Sequence, residues 1–148
     1  MGGILWAAGE EDLDYTKATT IRVPEETHFH QVVLAEDLDE PTELAVINNG
    51  DVLIVERKGE IKIFKASNGT TKLAGKLEVH SEEEDGLMGV AVDPDFQNNK
   101  WVYLYYSPAG AELVNVLSRF VLKEDLIDMS SEKRIIEVPV QREECCHT

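Results

Sequence analysis

The 148-residue chain is long enough for one domain, and its 43% hydrophobic and 29% charged residues describe an ordinary globular protein, not a disordered or membrane-spanning one. A formal net charge of −15, with no stretch that gathers Lys and Arg on one face, removes the counterion-release term that drives nucleic-acid binding, so DNA and RNA are excluded as partners. No apolar run approaches the roughly 20 residues needed to cross a bilayer.

Residues 1–20 carry many acids and no periodicity, which reads as a flexible leader or linker ahead of a folded part over 21–148. The apolar patch Ile4 to Ala8 has no basic flank and is too short for a signal peptide. His28-Phe29-His30 alternates as a strand would, so both imidazoles are expected at core or surface strand positions, not as ligands.

Short strands follow. Glu43 to Ile47 leads through Asn48-Asn49-Gly50, a strong turn signal, into the apolar run Val52 to Val55. Arg57-Lys58-Gly59 turns the chain into Glu60 to Lys65, whose alternation suits a half-exposed strand, and Asn68-Gly69 turns it again into Thr70 to Ala74. The same order returns in Leu87 to Val92, the turn Asp93-Pro94-Asp95, Trp101 to Tyr106, Val114 to Leu122 and Ile135 to Val140. Between the last two, residues 122–129 read as a turn joining outer strands, with a helical turn as the alternative.

Leu44-Ala45-Val46 and Val90-Ala91-Val92 stand 46 residues apart (44 to 90), and a period of that size built from four-stranded antiparallel units is the signature of β-propeller blades. The expected fold is all-β, a partial propeller of two four-stranded antiparallel blades. Two blades cannot close a ring, so the chain is expected to expose two apolar sheet faces and to stop where a third inner strand begins.

Two stretches carry a resemblance. Leu38 to Ala45 with Val55 to Ile61, and above all Asp85-Gly86-Leu87-Met88-Gly89-Val90-Ala91-Val92-Asp93-Pro94-Asp95-Phe96 followed by Asn99 and Trp101-Val102-Tyr103, resemble the soluble quinoprotein glucose/sorbosone dehydrogenase family. The resemblance implies a six-bladed propeller, a sugar substrate, pyrroloquinoline quinone (PQQ) and calcium as cofactors of the full-length protein, and a periplasmic or secreted location. It leaves the electron acceptor and the particular sugar open. His147 matches the family's general base, which takes a hydroxyl proton from the sugar while hydride passes to the quinone. Glu84, or Asp85 beside it, matches the position facing the quinone; the acidic run Glu82 to Asp85 equally reads as a solvated loop. Most quinone and calcium contacts of relatives come from later blades, which implies that this segment holds no cofactor by itself. Cys145-Cys146 replaces the polar residue that often precedes the base, which keeps open a non-catalytic propeller that binds carbohydrate or a protein partner.

Other signals are set aside. Cys145, Cys146 and His147 are consecutive and cannot all face one ion, so no metal site is expected there; a vicinal disulfide and free thiols both remain open. Asp93, Asp95 and Asn98 lack the Gly and distal Glu of a calcium loop and read as a β-turn. Asn68-Gly69-Thr70 matches a glycosylation sequon, but the hairpin turn explains it. Neither a phosphate-cradling glycine loop nor a nucleophile elbow is present.

Overall fold

The computed structural model describes residues 31–142. The leader, His28 to His30, and Cys145, Cys146 and His147 lie outside the described residues.

Among the described residues eight strands and one short helix follow in order: β1 (Pro41–Val46), β2 (Val52–Glu56), β3 (Glu60–Lys65), β4 (Thr70–Lys76), β5 (Leu87–Val92), α1 (Phe96–Asn99), β6 (Trp101–Tyr106), β7 (Val114–Lys123) and β8 (Leu126–Pro139). They form two antiparallel meanders, β1-β2-β3-β4 and β5-β6-β7-β8. These are two adjoining blades of a β-propeller, and the repeat inferred from the sequence is the repeat of sheets.

The turns form where the sequence marks them. Gly50 adopts φ +87°, and the Ile47 amide donates to the Asp51 carbonyl at 2.8 Å to close the first hairpin. Gly59 is required twice over. Its φ is +96°, and a Cβ there would lie 2.1 Å from the Leu77 carbonyl oxygen, so only glycine lets the chain leaving β4 close onto the β2–β3 turn.

One expectation is corrected, and the turn expected between the outer strands is found. The last strand begins at Leu126, not Ile135, and ends at Pro139. A helical turn within 122–129 is ruled out, because Glu124 and Asp125 have φ of +49° and +67° and Lys123 pairs with Leu126, which is a two-residue hairpin. In the early part of β8 only Ile127 and Met129 turn to the core, and the polar residues Asp128, Ser130, Ser131 and Glu132 around them leave too short an alternation to read. The Asp93 turn also continues into a single helical turn, α1, whose Phe96 is buried. The β-turn itself forms as expected: the Phe96 amide donates to the Asp93 carbonyl at 2.9 Å. The Asp93 carboxylate accepts from the Asp95 amide, Asn99 Nδ2 and Tyr103 Oη at 2.9, 2.8 and 2.6 Å.

Strand β2 is buried at every position, as a strand packed on both faces must be. On one face Leu53, Val55, Ile61 and Ile63 meet Leu87, Val102, Leu104, Val116 and Phe120 of the second sheet, all 0% exposed and parts of one cluster. Each such side chain contributes roughly 1.5–3 kcal/mol by leaving water. On the other face Val52, Ile54 and Phe64 are 7% exposed, with Ala35 and Leu38 packed on them. That face is covered only at its centre: Leu44, Val46 and Leu73 on the same face remain 56%, 59% and 52% exposed, in keeping with the expected open apolar faces. The far face of the second sheet carries half-buried Trp101, Tyr103 and Tyr105, with the Arg119 guanidinium 4.1 Å from the Trp101 ring centre. Among the described residues no helix is long and apolar enough to cross a membrane.

Polar ties cross the seam as well. Thr42 Oγ1 donates to the Leu87 carbonyl at 2.7 Å, joining the starts of β1 and β5. At the other end Lys65 Nζ binds the buried carboxylate of Asp51 in its own sheet and reaches Asp125 of the second sheet at 2.7 Å, while Lys72 Nζ holds the other Asp125 oxygen at 2.9 Å. The Lys65 hydrogen bond is the main cause that holds both carboxyls below their ordinary range.

Removing the Phe120 ring leaves a cavity in the seam, so Phe120→Ala should cost about 3–5 kcal/mol in denaturant unfolding. A carboxyl depressed in the fold stabilises it above the unfolded value of about 3.9 and loses that contribution as pH falls through the folded value. Thermal unfolding should therefore shift down below about pH 4, and Lys65→Met should flatten that pH dependence; an unchanged slope in the variant would assign the acid sensitivity elsewhere.

Candidate functional site

In a four-stranded meander the starts of the first and third strands and the ends of the second and fourth lie at one end. One end of this pair of sheets therefore gathers residues 38–40, the turn at 57–59, the connections at 77–86 and 107–113, and residues 140–142. The sequence stretches that carried the functional reading converge there.

Arg57, at the end of β2, organises the long connection. Its Nε donates to Glu40 Oε2 at 2.6 Å, and its Nη1 donates to the carbonyls of Ser81, Glu83 and Asp85 at 2.5, 3.2 and 3.3 Å. Its own carbonyl accepts the Leu87 amide at 2.8 Å. Gly86, with φ +147°, makes this approach possible, since a Cβ there would sit 2.4 Å from the Arg57 carbonyl oxygen. The Arg57 hydrogen bond holds the Glu40 carboxyl below its ordinary range, and the Asp39 hydrogen bond raises the neighbouring Lys58.

The acidic run thus divides. Glu82, Glu83 and Glu84 are exposed, whereas Asp85 is 3% exposed. The Asp85 Oδ2 atom accepts from Arg142 Nε at 2.6 Å and lies 3.5 Å from His80 Nε2. Its Oδ1 atom is 2.9 Å from the buried Ser107 Oγ, which is also 2.8 Å from Asn115 Oδ1. One hydroxyl proton cannot serve both acceptors, and the charged carboxylate is the stronger. Asn115 Nδ2 is buried without a partner as placed, and turning the amide over would let Asn115 donate to Ser107 and Ser107 to Asp85. The Arg142 fork continues outward, with Nη1 donating to the Glu112 carbonyl at 2.7 Å and Nη2 to the Val114 carbonyl at 3.4 Å.

The structure therefore places the two acids matched to the quinone-facing position side by side but in different surroundings, one open to solvent and one walled in. His147 lies outside the described residues. Four contributors escape a reading of the sequence. Arg57 stands in view within the Val55 to Ile61 stretch, but the pattern there marks it only as part of a turn. Ser107 and Asn115 are ordinary polar residues at strand ends, and Arg142 lies in a stretch without periodicity, so none of these three gives a signal.

An anionic quinone and a calcium ion call for free cations and for several converging oxygens. At this end Arg57, Lys58 and Arg142 are already paired with acids or carbonyls, and among the described residues no three His, Cys, Asp or Glu side chains gather as a metal site. The described residues supply open carboxylates at the rim, among them Glu84, and do not by themselves fit as a seat for either group.

Comparison with known proteins bears on the whole arrangement. The family model for glucose/sorbosone dehydrogenase matches residues 38–148. The aldose sugar dehydrogenase YliI of Escherichia coli K12 is 35% identical over 80 residues, covering 53% of this chain and 22% of that protein. A glucose dehydrogenase structure from Thermus thermophilus superposes with a TM-score of 0.67 at 27% identity, over 74% of this chain and 32% of that one. The PQQ-bound aldose sugar dehydrogenase of Streptomyces coelicolor superposes with a TM-score of 0.62 at 25% identity, over 70% and 32%. The chain thus spans between about a fifth and a third of the length of these relatives. With the family model matching three quarters of its length and the fold shared, the chain belongs to the glucose/sorbosone dehydrogenase family.

Proposed function

We propose that this chain supplies two blades of a PQQ-dependent sugar dehydrogenase. In the whole protein the quinone, with calcium, accepts hydride from the anomeric or an alcohol carbon of the sugar. The observation that carries the reading is the shared two-blade fold with the PQQ-bound Streptomyces coelicolor enzyme.

In this reading His147 is the base. A neutral imidazole has an unperturbed pKa of about 6.5, so near neutral pH it is free to accept the sugar hydroxyl proton as the hydride leaves. Glu84 faces the bound molecules from the rim. Its backbone is held through the carbonyls of Glu83 and Asp85 on Arg57, so its carboxylate projects from a fixed loop. The remaining contacts to the quinone, calcium and electron acceptor come from other parts of the whole protein, and the two blades do not carry the reaction alone. A periplasmic or secreted location belongs to the same proposal, which leans for it on family resemblance.

The test is to express the full reading frame, titrate it with PQQ and calcium, and follow dye reduction by a panel of aldoses. Saturable reduction is expected, and His147→Gln should lower kcat by about a hundredfold or more, the range removed with a general base. A folded protein that reduces no dye with any sugar sinks the dehydrogenase reading and leaves a propeller that only binds.

A further inference from the structure

Asp85 stands out because everything around it is committed. It is a carboxylate at 3% exposure, next to a loop of open acids, in a chain whose charge of −15 makes an extra buried anion costly. Such an anion persists only when paired and hydrogen-bonded, and both of its oxygens are: one to Arg142 Nε at 2.6 Å, the other to Ser107 Oγ at 2.9 Å, with Asn115 behind Ser107. Arg142 is itself mostly buried, with its side chain 12% exposed, and its two remaining nitrogens hold the Glu112 and Val114 carbonyls. Each nitrogen of the fork therefore touches a different part of the site end: the connection before β5, the connection before β7 and the start of β7. At the same end Arg57 also places Nε on a carboxylate and an Nη on loop carbonyls.

We propose that Asp85 is a positioning residue: through Arg142 it ties the segment entering His147 to the loop that presents Glu84. His147 follows Arg142 by five residues in the sequence. The tie is a statement about these residues alone; only its effect on turnover rests on the dehydrogenase reading.

Trypsin reads the tie directly, because it cleaves after Arg142 only when the guanidinium leaves its pocket. In the full-length protein, Asp85→Asn should speed cleavage after Arg142 by about tenfold, with cleavage after Lys133 and Arg134 unchanged. Arg142→Gln, which removes the guanidinium but keeps an amide donor beside the Asp85 carboxylate, is the second variant. It should lower kcat about tenfold with the KM for aldose little moved, and Arg142→Lys should recover part of the loss. Cleavage after Arg142 that is unchanged in Asp85→Asn overturns the proposal. So does a kcat unaltered by Arg142→Gln in a protein that reduces dye, or a loss of quinone affinity in Asp85→Asn with the cleavage rate unmoved, which would make Asp85 a ligand. If the parent protein reduces no dye with any sugar, the dehydrogenase reading fails on its own, and the cleavage rate alone decides the tie.

Discussion

The site end of this molecule depends on the apolar seam between its two sheets. Leu53, Val55, Ile61 and Ile63 on one side and Leu87, Val102, Leu104, Val116 and Phe120 on the other are wholly withdrawn from water, and their interlocking sets the offset of one blade against the next. Charged groups cannot do that work. Ion pairs in partial contact with water contribute on the order of 1 kcal/mol or less, so the salt bridges at either end select among arrangements that the seam already permits. Only with the blades fixed does the guanidinium of Arg57, grown from the first sheet, meet three carbonyls of the connection that leads into the second.

The two ends of the seam are closed by different chemistry. At one end Lys65 and Lys72 of the first sheet meet Asp125 of the second, side chain to side chain. An ammonium is a compact charge on a flexible stem, suited to two carboxylates whose spacing need not be exact. At the site end Arg57 and Arg142 each put a planar fork on backbone carbonyls. A fork fixes direction as well as distance, so the end that carries the functional loops is the end where loop paths are held most strictly.

How much of this is legible in the sequence follows from where each residue sits. The hairpins at Asn48 to Gly50 and Asn68-Gly69 can be read because turn geometry demands those residue types, and β2 because a strand buried on both faces is apolar throughout. The 46-residue spacing reveals the pairing of blades. The first part of β8 cannot be read, because only Ile127 and Met129 turn to the core there, too short an alternation to stand out among Asp128 and Ser130 to Lys133. The burial of Asp85 is hidden for a different reason. In the sequence it is the fourth of four consecutive acids, and only the fold shows that its neighbours turn outward while Arg142, 57 residues away, closes over it.

That acidic run also shows how a loop can be shaped without using its side chains. Three exposed glutamates in succession repel one another, and in a chain of this charge they gain nothing from the surroundings. The loop nonetheless holds one path, because its carbonyls at Ser81, Glu83 and Asp85 point inward to the single guanidinium of Arg57 and its last acid is locked below the surface. Backbone carbonyls carry the same dipole whatever residue bears them. The identity of Glu84 is therefore not needed to shape the loop, and a residue displayed on a fixed path but free of structural duty can be selected by what binds in front of it.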